Sequence, residues 1–191
     1  TKLKAVLNLW AGVEGVTNNK TLNVPLARMV DSGLTDGMVE WVTGHTLRHH
    51  LGIDKHIHGQ DGIWRSYVPP LAKDRIITIL GLGTLGTACG IALERLGFNV
   101  RGWSRREKRV DGILCFYGDA QIDSSLMDAD IVVLLLPDTP LTQNILNQLG
   151  LSGQISANLG SEMVKNSSFG KAALSFYNAS QLLGSNVEKS I

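Results

Sequence analysis

The chain has 191 residues, 43% apolar and 18% charged, with a net charge of +1. That balance gives no electrostatic reason to expect a nucleic acid or an anionic membrane as partner. The longest apolar run, 131–137, is far too short to cross a bilayer. Cys89 and Cys115 match no metal or redox spacing, so a reducing, cytoplasmic setting with two free thiols is expected.

In chain order, Lys4 to Leu9 reads as a strand running into the turn Ala11-Gly12-Val13-Glu14-Gly15. Asn8 interrupts the apolar stretch and no cleavage site follows, so this is not read as a signal peptide. The first Met is Met29, which suggests a fragment or a processed start. Pro25 to Val30 reads as a second strand. From Thr35 to His58 the residues Met38, Val39, Val42, His45, Thr46 and His49 recur at helical spacing, with Thr35 or Asp36 as the cap. All five His fall between 45 and 58, and His45, His49 and His56 share a face of that helix. No carboxylate or Cys converges with them, so a helix surface is expected and no metal site. Gly59 to Pro70, with its Gly and Pro residues, reads as a linker.

The stretch 75–106 is the most informative. Ile76, Ile77, Ile79 and Leu80 form a β-branched apolar run suited to a buried parallel strand. Gly81-x-Gly83-x-x-Gly86 follows, spelled Gly81-Leu82-Gly83-Thr84-Leu85-Gly86. Ala88, Ile91, Ala92 and Leu96 then recur at helical spacing, Gly97 can end the helix, and Asn99 to Trp103 reads as the next strand. The glycine pattern alone is weak; between a strand and a helix it is the fingerprint of a dinucleotide turn. The first Gly permits the turn, the second lets backbone approach a pyrophosphate, and the third lets helix and strand pack. The helix N-terminus favours the anion.

The end of the second strand bears on which dinucleotide. A carboxylate for the ribose 2′-hydroxyl is expected about 20 residues beyond the glycines. Ser104 stands there, followed by Arg105 and Arg106. A hydroxyl and two guanidinium groups suit a 2′-phosphate, so NADP (NADPH) is preferred over NAD. Two alternatives stay open: a solvated basic turn, and Glu107 taking the ribose role.

Leu114 to Tyr117 reads as a strand, Ile122 to Met127 as a short helix, Ile131 to Leu136 as a strand, and Thr142 to Leu149 as a helix. This alternation implies an α/β fold with a doubly wound parallel sheet. Beyond Gly150 the character changes: residues 151–191 hold nine Ser against five in 1–150, and no Trp, Pro, His or Arg. Ile155 to Leu159 is a poor strand, Ala172 to Tyr177 suits a short helix, and disorder is a live alternative.

Four segments together resemble the D-2-hydroxyacid dehydrogenases, within them the glyoxylate/hydroxypyruvate reductase A branch. They are Leu7 to Glu14; Met38 to Val42 with Leu47 to His50; Gly81 to Gly86 through Gly102-Trp103-Ser104-Arg105; and Leu135 to Thr142. The resemblance implies a Rossmann NAD(P)-binding domain over 71–150, incomplete, and part of a flavodoxin-like substrate domain with an interdomain or dimerisation helix over 1–70. Residues 151–191 stay unassigned. It implies an NADPH-dependent reductase of small 2-keto acids such as glyoxylate or hydroxypyruvate, acting as a homodimer. Gly12 and Val13 would bind the substrate carboxylate through backbone N–H groups, although Trp10 replaces a Gly common in the family. Leu136, Pro137 and Thr142 of the strand-four loop would join Gly81 to Gly86, Ser104, Arg105 and Arg106 at the cofactor.

The same family carries its chemistry on an Arg, a Glu and a His beyond the fourth strand. Here the last Arg is Arg109 and the last His is His58. Ala157-Asn158-Leu159-Gly160-Ser161 stands where an Asn-x-x-Arg-Gly turn is expected. No catalytic residue is therefore assigned, and the last strands of the sheet are expected to be missing. A truncated product with its coding phase lost near Leu149 is one expectation. A catalytically inactive nucleotide-binding or dimerising fragment is the alternative to an active reductase, and an unfolded fragment a third.

Overall fold

The computed structural model describes residues 3–9, 13–17, 19–29 and 31–137, together with 142, 145, 154–157 and 172–175. Two parallel strands, β1 (Val6–Asn8) and β2 (Leu26–Arg28), pair in register from Val6↔Leu26 to Asn8↔Arg28. The four-residue α1 (Glu14–Thr17) lies between them. Both strands fall inside the segments that the sequence marks as extended.

The expected helix over 35–58 is two helices, α2 (Ser32–Leu51) and α3 (Ile53–His58). Gly52 separates them at φ 66°, a left-handed conformation that ends a helix readily only in a residue without Cβ. A side chain there would also meet the Tyr67 ring, 2.8 Å away. His56 therefore sits on a different helix from His45 and His49. The N-cap is Asp31, not Thr35 or Asp36, and α2 begins three residues before the apolar pattern does. Arg48 on α2 grips Asp54 on α3 at 2.6 Å, and that hydrogen bond holds the Asp54 carboxyl below its usual range. Residues 60–71 carry no helix or strand, as a linker should.

A six-stranded parallel sheet follows. Its strands are β3 (Ile76–Leu80), β4 (Asn99–Ser104), β5 (Leu114–Tyr117), β6 (Ile131–Leu134), β7 (Gln154–Ala157) and β8 (Ala172–Ser175), in the order β5-β4-β3-β6-β8-β7. The helices α4 (Thr84–Arg95) and α5 (Ile122–Leu126) join consecutive strands. The order β5-β4-β3-β6 is the 3-2-1-4 half of a doubly wound dinucleotide fold. Gly97, at φ 90°, follows the end of α4 as expected. Thr142 to Leu149 lies outside the described residues except for Thr142 and Ile145, whose backbones are hydrogen bonded at 3.2 Å.

Beyond residue 150 the expectations need correction. Residues 172–175 form a strand rather than a helix, and pair with β6 from Ile131↔Ala172 to Leu134↔Ser175. β7 pairs on its far side, and replaces the strand expected over 155–159. Parallel strands therefore do follow β6. The later strand β8 lies next to it, whereas the doubly wound order would place the next strand in the chain there. An unpaired edge on β6 would leave a ladder of N–H and C=O groups open; pairing outweighs the weak helical preference of Ala-Ala-Leu-Ser.

Each face of the sheet has its own core. On one, Ile77, Ile79, Val100, Ile131 and Val133 pack with Cys89 and Leu93 of α4 and Val42 of α2. On the other, Leu80, Trp103 and Val132 pack with Leu126 and Ala129. Ile77, Ile79 and Leu80 are fully buried, each worth about 1.5–3 kcal/mol of transfer free energy. The stripe Val42, Thr46 and His50 is the buried side of α2, so at least this face of the helix serves packing onto the sheet unit. Among the described residues no helix is long and apolar enough to cross a membrane.

His50 is buried edge-on to Phe98, with ring centroids 4.9 Å apart, and its Nδ1 has no hydrogen-bond partner. Burial first, and the nearby Arg75 charge second, lower its pKa below 6.5. Burial likewise lowers His45 and His49. The folded chain then binds fewer protons than the unfolded chain. This stability is present above about pH 6.5 and is lost as pH falls through the folded value. His50→Leu should leave the midpoint of urea unfolding at pH 8 nearly unchanged or higher, and reduce its fall between pH 7 and 5. An unchanged pH slope in that variant would remove His50 from the account.

Burial pushes the Cys89 thiol up to about 11, whereas Cys115 is half-buried. An aromatic disulfide reagent at pH 7.5 should label one thiol quickly, Cys115, and the second only on unfolding. Two equally fast thiols would contradict this packing.

Candidate functional site: the glycine turn and basic loop

The chain leaves β3 for β4 on one side of the sheet and later returns to β6 on the other. The carboxyl ends of β3 and β6 thus border the switch point, where open α/β sheets hold ligands. Gly81 follows β3 there at φ 111°. A Cβ on it would lie 2.7 Å from the Leu135 carbonyl oxygen, just beyond β6. Both conformation and space demand glycine. The N–H groups of Gly81 and Leu82 donate to the Trp103 carbonyl at 2.9 and 3.2 Å, which pins the turn to β4. Leu82 is buried, and its side chain fills the place a Cβ on Gly102 would need, 2.5 Å away.

Gly86 lies one turn into α4. A Cβ there would stand 1.9 Å from the Gly81 carbonyl oxygen, so no side chain fits while helix and turn keep this approach. Gly83 differs. It is exposed, its φ of −74° suits any residue, and a Cβ would meet nothing within 4 Å. As N-cap of α4 it provides no side chain, so no side-chain oxygen caps the first turn. Among the described residues the Gly83 N–H also has no acceptor. The arrangement is open space in front of unsatisfied N–H groups at a positive helix end, and can accept an anion.

The basic loop follows β4. Ser104 is buried, and its hydroxyl donates to the Arg106 carbonyl at 2.7 Å. Its single proton is thereby used within the loop, so toward a phosphate the oxygen would have to exchange partners. Arg105 and Arg106 are exposed, and neither guanidinium group makes an ion pair or hydrogen bond among the described residues. Glu107 faces Arg109 at 3.3 Å instead. Lys108, which sequence reasoning counted only among the charges of the loop, reaches back and donates to the Leu82 carbonyl. Trp103 was likewise missed: its Nε1 donates to the Gly118 carbonyl at 2.9 Å and ties β4 to the end of β5. Trp103 lies in a segment that carries the resemblance, but of this bond only its buried indole N–H gives a hint.

Leu136 is half-buried and Pro137 exposed just after β6, and the Pro137 carbonyl accepts from the Thr142 hydroxyl. The glycine turn, the basic loop and the β6 end thus emerge from neighbouring strands. Val13 is half-buried, and its carbonyl accepts from Val16 and Thr17 at 2.9 Å to start α1; Gly12 lies outside the described residues. Residues 158–161, where the late Arg was sought, also lie outside them. Among the described residues no three His, Cys, Asp or Glu side chains converge on a metal position.

The family profile for the D-isomer specific 2-hydroxyacid dehydrogenase NAD binding domain matches residues 43–153. The chain belongs to the D-isomer specific 2-hydroxyacid dehydrogenases. Glyoxylate/hydroxypyruvate reductase A of Yersinia enterocolitica is 34% identical over 165 residues, covering 82% of this chain and 52% of that protein. Its counterpart in Serratia proteamaculans is 37% identical over 155 residues, covering 77% and 50%. The chain thus spans about half the length of the curated relatives it matches. Among solved structures, a D-isomer specific 2-hydroxyacid dehydrogenase from Xanthobacter autotrophicus, in complex with NADPH and MES, superposes with a TM-score of 0.73 at 38% identity. The match covers 76% of this chain and 47% of that one. An NADPH-dependent glyoxylate/hydroxypyruvate reductase from Sinorhizobium meliloti, in complex with NADP and sulfate, gives 0.67 at 37%, covering 73% and 45%. In this dehydrogenase unit the two-faced sheet and glycine turn are the family's NAD-binding architecture.

The glycines separate stability from binding. Gly86→Ala should destabilise strongly, by about 3 kcal/mol or more, because the clash is with backbone. Gly83→Ala should cost about 1 kcal/mol or less, the difference between Gly and Ala at an N-cap. Urea denaturation of both variants reads this. Equal losses would mean that the approach of α4 to the turn is looser than described.

Proposed function

We propose that this chain is the cofactor-binding part of a reductase that converts small 2-keto acids to 2-hydroxy acids, with NADPH preferred to NADH. Residues 71–150 would hold the dinucleotide, 1–70 would supply part of the substrate domain with Gly12 and Val13 near the substrate carboxylate, and 151–191 stay outside this division. The observation that carries the reading is the open, uncapped start of α4 at Gly83, beside a loop with two guanidinium groups unpaired among the described residues. The pyrophosphate would lie against Gly83, Thr84, Leu85 and Gly86, and the 2′-phosphate against Arg105 and Arg106, with Ser104 holding their loop in shape. Leu136, Pro137 and Thr142 would border the nicotinamide side. When bound, the cofactor supplies a hydride to the keto carbon. The relatives' names support the substrate class, and the NADP complexes of similar structures support the cofactor. The fuller reading is of a cytoplasmic homodimer that engages neither nucleic acid nor membrane.

A second reading has its own observation. Residues 110–191 contain neither Arg nor His, so within this stretch no side chain matches the keto-polarising and proton-donating roles expected beyond β6. In that reading this polypeptide binds the dinucleotide without turnover. A general acid alone contributes about 10²–10⁴-fold.

Fluorescence titration of the 191-residue chain should show saturable NADPH binding, tighter than NADH. Replacing Arg105 and Arg106 together by Ala should weaken NADPH by at least about tenfold and leave NADH nearly unchanged. Absence of saturable binding by either cofactor would sink the proposal. Glyoxylate-dependent NADPH oxidation then separates the two readings.

A further inference from the structure

Every peptide that turns its N–H toward an anion turns its C=O the opposite way, because the trans peptide is planar. The chain has no cis peptide among the described residues, so the Leu82 carbonyl and the Gly83 N–H point in opposite directions from one plane. Whatever holds that carbonyl therefore aims that N–H. Two donors converge on it. The Lys108 ammonium donates from the basic loop, and the Thr87 hydroxyl lies at 3.5 Å from within α4. The Leu82 side chain is buried on Gly102, and its N–H is bonded to Trp103, so the carbonyl side of the residue is what remains to be fixed.

We infer that Lys108 is a positioning residue for the glycine turn: by holding the Leu82 carbonyl it points the Gly83 N–H into the open space where an anionic pyrophosphate would sit. The inference rests on the proposed nucleotide reading and adds a coupling to it. The loop carrying Arg105 and Arg106 is fastened through Lys108 to the turn after β3, so one side chain joins the two anion-facing parts of the site. Turned toward the ligand, the Leu82 carbonyl would present a partial negative charge to a phosphate. With its lone pairs engaged by Lys108, it does not. Unlike Arg105 and Arg106, whose guanidinium groups are unpaired among the described residues, Lys108 spends a donor inside the protein, and its effect should be blind to the 2′-phosphate.

The test is Lys108→Met and Lys108→Arg in the full chain, titrated with NADPH and NADH, together with ¹⁵N order parameters of the ligand-free protein. Lys108→Met should weaken both cofactors alike, by about tenfold, the size expected for one charge-assisted hydrogen bond. It should lower the order parameters of Gly83 and Thr84 and leave the unfolding midpoint nearly unchanged, since the side chain is exposed. Lys108→Arg, which can still donate to a carbonyl, should restore most of the affinity. A loss confined to NADPH would overturn the inference and make Lys108 a 2′-phosphate contact. Unchanged affinities, or unchanged order parameters at Gly83, would also overturn it. If the unmodified chain binds neither cofactor, the nucleotide reading falls, and this inference with it, whatever the order parameters show.

Discussion

Helix α4 can lie against the end of β3 only because residue 86 has no side chain. The Gly81 carbonyl oxygen occupies the place where a Cβ would be. Several features depend on that approach. It lets Cys89 and Leu93 reach the sheet and join Ile77, Ile79 and Val133 in one core. It directs the start of α4 toward the switch point rather than over the face of the sheet. It also fixes the turn so tightly that Gly81 must yield its Cβ to Leu135 on the far side. Two backbone contacts, each possible only at glycine, thus lock β3, α4 and the end of β6 together. Gly83, set between them, is left open. The glycine pattern is therefore two packing constraints around one open position.

The second layer of order comes from α2. Its buried stripe contains Val42, which is apolar, and Thr46 and His50, which are not. Neither Thr46 Oγ1 nor His50 Nδ1 finds a partner among the described residues. Burying unpaired polar atoms costs stability, which packing of the same helix through Val42, Met38, Val39 and Leu47 must offset. A protonated His50 would be a buried charge close to Arg75, so the attachment of this helix is expected to weaken in acid. The packing of α2 on the sheet unit is thus expected to be sensitive to pH in a way that the sheet's apolar core is not.

How much of this was legible in the sequence depends on which force decides each element. β3 and β6 were readable because β-branched apolar runs have few other uses, β4 and β5 from their place in the alternation of strands and helices, and α4 because glycines bound it on both sides and its apolar residues recur at helical spacing. The break at Gly52 was not, since His and Lys continue a helical pattern past it; the Tyr67 ring packed on Gly52 comes from the linker, and periodicity does not register such a contact. The strand at 172–175 was misread as a helix because local preference favoured Ala-Ala-Leu-Ser, whereas the pairing partner lies about 40 residues away on β6. In the candidate site, spacing and side-chain chemistry marked Arg105 and Arg106 as candidates. Lys108 was hidden in a run of like charges, and only its bond to Leu82 sets it apart.

The basic loop also shows why a residue type does not by itself give a role. Ser104, Arg106 and Lys108 each carry a donor, and by composition any of them suits a phosphate. The structure divides their work. Ser104 spends its proton on the Arg106 backbone, and Lys108 donates to the glycine turn; both act inward to shape the loop. Glu107 is drawn aside by Arg109, which keeps a carboxylate from neutralising the neighbouring guanidinium groups. What remains facing solvent is the Arg105 and Arg106 guanidinium groups, with net positive charge and no partner among the described residues. Exposed charges in water interact weakly at a distance, so in the proposed function any selectivity would depend on their being held at a fixed spacing from the pyrophosphate. The inward bonds provide that spacing. In this reading cofactor preference is a property of the whole loop, with the arginines supplying the charge and Ser104 and Lys108 supplying the geometry in which the charge discriminates.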